Sequence, residues 1–273
     1  MRPTQLKKND KVIILSPSGR VNEEKVRENS KLLESWGLKV EFGKHTFDIH
    51  HKLAGTDKNR ASDLQDALDN PEIKAIFCSR GGYGLVRIVD NLDFSKFMEN
   101  PKWIIGFSDV TVLHNQLNNL GVATIHAPMV NSYDSTPQIA LDPLKSALFE
   151  IDYQLDTPFV GDEIVGGNLA ILYSLLGTDS DIQTDGKVLF IEEIGEYAYN
   201  IDRMIHGLKK AKKFNRLKGL LVGQFSKIKE DDFGYSVKEI IEKVGGSIAL
   251  ESEVGLGSTF TVTLKNYQPN PSE

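Results

Sequence analysis

Short apolar runs alternate with amphipathic stretches along the first half of the chain. The run "KVIILSPS" (11–18) predicts a buried strand that ends in a Ser-Pro-Ser-Gly turn. In "NEEKVRENSKLLESWG" (22–37), Val26, Leu32, Leu33 and Trp36 recur at helical spacing, and Gly37 ends the helix. "LKVEFG" then predicts a strand and "NRASDLQDALDN" a helix stopped by Asn70-Pro71. The rhythm repeats through the strand "IKAIFCS", the helix-like "GLVRIVDNL", the strand "KWIIGFS" and the helix "DVTVLHNQLNNLG". Strands separated by helices cannot pair as hairpins. They predict an α/β protein with a doubly wound parallel sheet covered by helices on both faces.

The pattern loosens over 131–162, where Pro137, Pro143 and Pro158 interrupt any sustained period. This stretch is expected to be a linker between an N-terminal α/β domain (1–130) and a second, smaller α/β or β-rich domain (163–265), with a solvated tail at 266–273. The second half opens on "IVGGNLAILYSLLG", a Gly-Gly-Asn turn running into a helix. "GKVLFIEEIGE" reads as a strand ending in acids, "NIDRMIHGLKKAKKF" as a helix and "LKGLLVGQFS" as another strand. Around a glycine turn, "SIALESEV-GLG-STFTVTL" alternates as a β-hairpin should, able to add strands to the second sheet.

Composition narrows the chemistry. With 40% hydrophobic and 26% charged residues, the 273-residue chain is an ordinary globular protein. A formal net charge of -6 disfavours nucleic acid as a partner, since there is no basic excess to neutralise phosphates. Cys78 is the only cysteine, so no internal disulfide forms; it reads as a small buried residue ending a strand. The apolar run behind Lys7, Lys8 and Lys11 spans only Val12 to Leu15, too short for a secretory signal, and no run approaches a membrane span. A cytoplasmic protein with no membrane partner is expected.

Parallel sheets place their chemistry beyond the carboxyl ends of their strands. Three predicted loops fall there: Ser16–Gly19, Ser79–Gly84 and Gly106–Asp109. Ser108 stands where a strand hands over to a helix, a place for either a helix cap or an exposed nucleophile. Asp109 can cap in its stead, which would free the Ser108 hydroxyl. "SRGGYG" is a tight glycine turn; it lacks the spacing of a phosphate loop but could aim backbone N–H groups at an oxyanion. Glu192 and Glu193 close a strand, where acids are ordinarily solvated but where one could also orient a histidine. No histidine pair at ligand spacing lies near them, so no metal is expected. Among the six histidines, His126 in "ATIHAPM" could line the same cleft; His114 is expected to face elsewhere, half buried.

Taken together, "AGTDKNRASDLQDALDNPEIKAIFCSRGGYG", "NPKWIIGFSDVTVLH", "TIHAPM", "GGNLAIL" and "LFIEEIGEYAYNIDRMIHGLK" resemble the LD-carboxypeptidases. These serine peptidases include muramoyltetrapeptide carboxypeptidase and microcin-immunity relatives, and the resemblance runs from about Lys11 to Lys238. It implies a two-domain, cofactor-free cytoplasmic hydrolase of peptidoglycan recycling that removes a terminal D-amino acid (D-Ala) from murein tetrapeptides. Members are often dimeric, which leaves a homodimer or a monomer as the expected assembly. The resemblance makes Ser108 the nucleophile and Glu192 the triad acid, with the Gly82 and Asp109 N–H groups as oxyanion donors. Gly81, Asn168 and His126 would line the substrate site.

The family's catalytic histidine comes late, in a Gly-His turn of the C-terminal domain, and no histidine follows His206 here. Instead, "VKEIIEKVGGSIALESEVGLGSTFTVTLK" (237–265) resembles the end of a sensor histidine kinase ATP-binding domain. That fold's asparagine box and Asp-x-Gly-x-Gly loop have no counterpart in the chain. The expectation is therefore an impaired carboxypeptidase. The alternatives are a catalytically dead peptide-binding relative, or a chimeric or truncated product.

Overall fold

The computed structural model describes residues 1–154, 157, 159–229 and 232–243, and the backbone of 247–253 and 257–263. The chain divides into two compact units, Met1–Leu155 and Asp156–Glu273.

The first unit is built on β1 (Lys11–Leu15), α1 (Glu23–Ser35), β2 (Lys39–Phe42), α2 (Asp57–Asp69), β3 (Ile73–Cys78), α3 (Ser95–Glu99), β4 (Trp103–Gly106), α4 (Thr111–Asn119), β5 (Ile125–His126) and α5 (Gln138–Phe149). All five strands are parallel, in the order β2-β1-β3-β4-β5. The strands are short and almost wholly apolar because both faces are covered. Val12, Ile14, Ala75, Phe77, Trp103 and Ile105 pack with Val26 and Leu33 of α1 and with Leu141, Leu144 and Leu148 of α5. Their alternates Ile76 and Ile104 are equally inaccessible, and α2 packs across β1 and β3. Helix starts follow local chemistry: Asn22 accepts from Lys25 N–H and Thr56 from Asn59 N–H, satisfying donors that the first turn leaves orphaned.

Two segments differ from the sequence pattern. "GLVRIVDNL" forms two 3-10 turns, Leu85–Arg87 and Val89–Asn91, in place of a helix. The stretch read as a linker carries a 3-10 helix (Val130–Ser135) and α5, whose leucines belong to the first unit's core. Pro143 lies inside α5, and breaking the pattern at that residue hid an otherwise regular apolar stripe.

The second unit contains β6 (Ile164–Asn168), α6 (Leu169–Ser174), β7 (Val188–Ile194), α7 (Ala198–Lys210), β8 (Gly219–Ser226), α8 (Val237–Glu242), β9 (Ser247–Glu253) and β10 (Gly257–Thr263). The strand order is β6-β7-β8-β10-β9. β6, β7 and β8 are parallel, whereas β10 runs antiparallel to β8 and pairs with β9 in the expected hairpin. Val165, Leu189, Ile191, Leu220 and Val222 form the sheet side of a core covered by Leu172, Ile201, Ile205 and Leu208. The tail at 266–273 lies outside the described residues. Among the described residues, no helix is long and apolar enough to cross a membrane.

One buried cation fixes the join between α2 and the sheet. Lys102, 2% exposed, donates from Nζ to the carbonyls of Ala67, Leu68 and Asn70 at 2.9, 2.8 and 2.7 Å. These carbonyls are left over where Pro71 stops the helix. Lys102→Met keeps most of the side-chain volume but strands them, and is expected to cost about 2–4 kcal/mol. Urea unfolding followed by circular dichroism measures it; a loss below about 0.5 kcal/mol would refute the role.

Candidate active site

The order β1-β3-β4-β5 brings four strand ends side by side, and their loops touch. Gly19 N–H donates to Gly81 O at 3.1 Å, the Ser16 and Ser79 hydroxyls share a 2.5 Å hydrogen bond, and Asn131 N–H donates to Ser79 O at 2.9 Å. Gly19 must be glycine, since a Cβ there would lie 2.8 Å from Gly81 O.

Ser108 sits at the centre of this arrangement, in left-handed backbone (φ 61°) between extended Phe107 and a 3-10 turn over Ser108–Val110. The turn is tight: a Cβ on Gly106 would meet Val110 Cγ2 at 2.8 Å. A left-handed serine is strained, and such strain is typical of functional turns. Ser108 caps nothing. Neither the 3-10 turn nor α4 has a side-chain cap, and the Ser108 hydroxyl makes no hydrogen bond to a described residue. Nor does Asp109 cap. Its carboxylate, 1% exposed, instead accepts from Ser18 Oγ at 2.6 Å and Leu85 N–H at 3.0 Å. That is a correction to the sequence expectation: spacing shows a residue before a helix but not which way its side chain turns.

Gly81 and Gly82 lie alongside. A Cβ on Gly81 would come within 3.1 Å of Ser108 Cβ and 3.2 Å of its Oγ, so the loop backbone lies directly against the nucleophile candidate. Gly82 is left-handed (φ 109°). Neither the Gly82 nor the Asp109 N–H donates to a described residue.

Two histidines are close. His126 pairs in register with Gly106 at the end of β5, its ring 6.0 Å from that of Phe107 and 6.1 Å from that of His114. Burial of the imidazole, then His114, pushes the His126 pKa down, although the residue as a whole is exposed. His114 does not face elsewhere. It is buried and hydrogen-bonds through Nε2 to Gly106 O at 2.9 Å, its pKa driven to about 4 by burial. The neutral ring therefore donates to the carbonyl two residues before Ser108. Cys78 ends β3 as expected, its thiol pushed up to about 12 by burial.

Glu192 and Asn168 belong to the second unit. Both acids lie within β7, not beyond it, and Asn168 of β6 is in register with Glu192. The Gly-Gly-Asn turn has a steric cause: Gly166 has φ 127°, and a Cβ there would stand 2.0 Å from Phe190 O. Asn168 starts α6 by accepting from Ile171 N–H, and it donates to Glu193 Oε1 at 3.1 Å. Glu193 is the more buried acid, and its carboxylate also accepts from the Ala170 and Ile194 N–H groups, each at 2.8 Å. Glu192 is raised to about 7, first by burial and second by the neighbouring Glu193, against a hydrogen bond from Asn168. Among the described residues, no group of three or more His, Cys, Asp or Glu could hold a metal ion.

Sequence reasoning placed the Ser16–Gly19 loop at the site but missed the contact of Ser18 with Asp109 and the part played by Arg60, because nothing in local spacing signals contact with a loop far away in sequence. Arg60 of α2 is fully buried and reaches the Pro17 and Gly84 carbonyls at 2.6 and 3.0 Å.

Residues 12–127 match the LD-carboxypeptidase N-terminal domain and residues 162–259 the LD-carboxypeptidase C-terminal domain. The chain belongs to the LD-carboxypeptidase family. A probable murein peptide carboxypeptidase of Bacillus subtilis is 37% identical over 244 residues, covering 82% of this chain and 75% of that protein. The murein tetrapeptide carboxypeptidase of Pseudomonas aeruginosa is 27% identical over 265 residues, covering 90% and 85%. In fold, the muramoyltetrapeptide carboxypeptidase from Oxalobacter formigenes superposes with a TM-score of 0.76 at 24% identity, covering 93% of this chain and 98% of that one. The self-immunity protein MccF bound to glutamyl sulfamoyl guanosine gives 0.80 at 21% identity, covering 89% and 85%. The C-terminal match takes in most of 237–265, to residue 259, so this stretch matches the LD-carboxypeptidase C-terminal domain and not the histidine kinase end that its sequence resembles.

Two expectations follow for this LD-carboxypeptidase chain. At position 108 the usual order of residues inverts: Ser108→Gly relieves a left-handed backbone that Ser108→Ala retains. The glycine variant should be more stable by about 1 kcal/mol in urea unfolding, and an alanine variant at least as stable would show that the turn is unstrained. Glu192 has a folded pKa raised above its unfolded value, so between about pH 4.5 and 7 the folded state holds the extra proton. Stability should therefore fall as pH rises through that window. Glu192→Gln should flatten the slope and stabilise the protein at pH 8 by roughly 2–3 kcal/mol, read from melting temperatures between pH 5 and 8. An unchanged slope would count against a buried, proton-holding Glu192.

Proposed function

We propose that the chain is a serine LD-carboxypeptidase that releases terminal D-alanine from murein tetrapeptides in peptidoglycan recycling, and that these 273 residues turn over slowly. The observation that carries the reading is Ser108: left-handed, uncapped, and pressed against the backbone of Gly81. The names of the murein peptide relatives support the substrate.

In this mechanism Ser108 Oγ attacks the scissile carbonyl carbon as a base takes its proton. The Gly82 and Asp109 N–H groups hold the oxyanion that forms, and one such donor is worth about 3 kcal/mol. The C–N bond then breaks, the protonated amine leaves as D-alanine, and water hydrolyses the acyl-enzyme. Glu192 is the acid of the triad, Asn168 fixes it through its amide, and Gly81, Asn168 and His126 line the substrate site. No cofactor enters. The activity is assigned to the cytoplasm, with a homodimer as the assembly.

The slow turnover rests on the base. His206, on α7, is the one histidine in the second unit; it is half exposed and faces Asp202 at 3.8 Å. His126, on the strand next to the nucleophile's, is available in the first unit, but its lowered pKa makes it a weak proton acceptor. Loss of a triad histidine costs about 10⁴–10⁶ in turnover. The hairpin of β9 and β10 has no nucleotide role in this reading; it extends the sheet beyond β8.

The test is D-alanine release from L-Ala-D-Glu-diaminopimelate-D-Ala by the chain and by Ser108→Ala. Slow release that disappears in the variant is expected. Release that survives Ser108→Ala would overturn the nucleophile. Binding of the tetrapeptide without any release would favour the peptide-binding alternative.

A further inference from the structure

Two buried side chains of opposite charge hold the same pair of loops at adjacent residues. The Asp109 carboxylate accepts from Ser18 in the loop after β1 and from Leu85 N–H, the first residue beyond the glycine loop. Arg60 donates to Pro17 O and to Gly84 O, one residue before each of those contacts. The Arg60 guanidinium is itself anchored by Asp57, which in turn holds Arg87 through both carboxylate oxygens at 2.6–3.0 Å. Asp109 thus joins three strand-end loops, while Arg60 draws two of them together from α2.

The need for such a clamp follows from the glycines. Gly82 and Gly84 have φ 109° and 140°, so the loop bearing one oxyanion donor consists of residues with the least intrinsic conformational preference. Oxyanion donors act only when they stand within about half an ångström of their working positions before the charge develops. A glycine loop cannot hold that geometry alone. The other donor is the N–H of Asp109, the residue whose side chain reaches across to fix the loop at Leu85.

We propose that Asp109 is a positioning residue for the oxyanion hole: its carboxylate, through Ser18 and Leu85, sets the separation of the Gly82 and Asp109 N–H groups, with Arg60 holding the same loops through the carbonyls of Pro17 and Gly84. This rests on the carboxypeptidase reading of Ser108. The geometry also grades the substitutions. Both bonds to Asp109 fall on one oxygen, Oδ2, so an asparagine amide oxygen can accept both. Asp109→Asn should keep the clamp, Asp109→Ala should abolish it, and Ser18→Ala should remove half of it with little change in packing.

The experiment avoids any dependence on the base. The probe is a peptide boronic acid ending at the diaminopimelate position, with boron in place of the scissile carbonyl carbon. A bond forms between Ser108 Oγ and boron, the serine proton goes to solvent, and the anionic boronate presents an oxygen to the oxyanion donors. The control ligand is the same peptide as its carboxamide, which forms no such bond. Affinities come from titration calorimetry of the full chain, with a melting temperature for each variant.

The chain should prefer the boronate, and Ser108→Ala should lose that preference. Ser18→Ala and Asp109→Ala should reduce it by about tenfold or more, as expected for a displaced donor, with the carboxamide affinity little changed and Asp109→Asn recovering most of the loss. A merely structural role would lower melting temperature or weaken both ligands together, and either pattern without a selective loss overturns the proposal. Should Asp109→Ala fail to fold, Ser18→Ala decides; a full boronate preference in that folded variant also overturns it. No preference in the unmodified chain would reject Ser108 as nucleophile, and this proposal with it.

Discussion

A parallel strand that passes into a helix within two residues has few ways to turn, and the turn after β4 takes a costly one. Gly106 allows Val110 to close over the strand end, extended Phe107 carries the chain outward, and Ser108 accepts a left-handed conformation. That conformation keeps the hydroxyl away from the helix terminus, where a serine would ordinarily cap. Much around it serves to hold the turn. His114 and Ala127 N–H both reach the Gly106 carbonyl, and the Asp109 side chain is drawn to Ser18 and Leu85. Strain of this kind persists only where neighbouring contacts outweigh it. The buried Arg60 and the paired Ser16 and Ser79 hydroxyls are therefore intelligible as support for the loops meeting at that turn.

The sequence discloses such a site unevenly, for physical reasons. Strands buried on both faces announce themselves as apolar runs, so β1, β3 and β4 are visible, and their order with the intervening helices implies a parallel sheet. α5 is concealed by Pro143, since proline is read as a breaker even though the stripe of Leu141, Leu144 and Leu148 continues around it. Ser108, Gly81 and Gly82 are legible because a strand-to-helix junction and a glycine run are local features. The partners that position them are not. Ser18, Arg60 and Asp109 meet across 91 and 24–43 residues of sequence, and no spacing rule reports a contact of that range. The side-chain direction of Asp109 escapes for the same reason.

The acids of the second unit show how adjacent residues divide two tasks. Along a strand, successive side chains point to opposite faces. Glu193 turns to the start of α6, where Ala170 N–H and the Asn168 amide meet it. Glu192 also receives a hydrogen bond from Asn168, yet burial first and the neighbouring Glu193 second raise its pKa to about 7. An acid so placed is readily kept ionised by a cation such as an imidazolium, and in the absence of one it takes up a proton at neutral pH. The state of Glu192 is thus tied to whether a base stands near it.

That link separates what the second unit needs in order to fold from what it would need for catalysis. β10 joins the sheet through backbone pairing with β8, Phe260 opposite Val222 and Val262 opposite Leu220, and β9 closes against it in register from Ser247–Thr263 to Glu253–Gly257. An edge hairpin asks of its sequence only alternation, β-propensity and a glycine turn. Many sequences meet those terms. A triad asks instead for one imidazole at one place, and no alternation of apolar residues supplies it. The second sheet can therefore be extended by a hairpin that carries no histidine, while the Ser108 turn in the first unit is braced by contacts of its own.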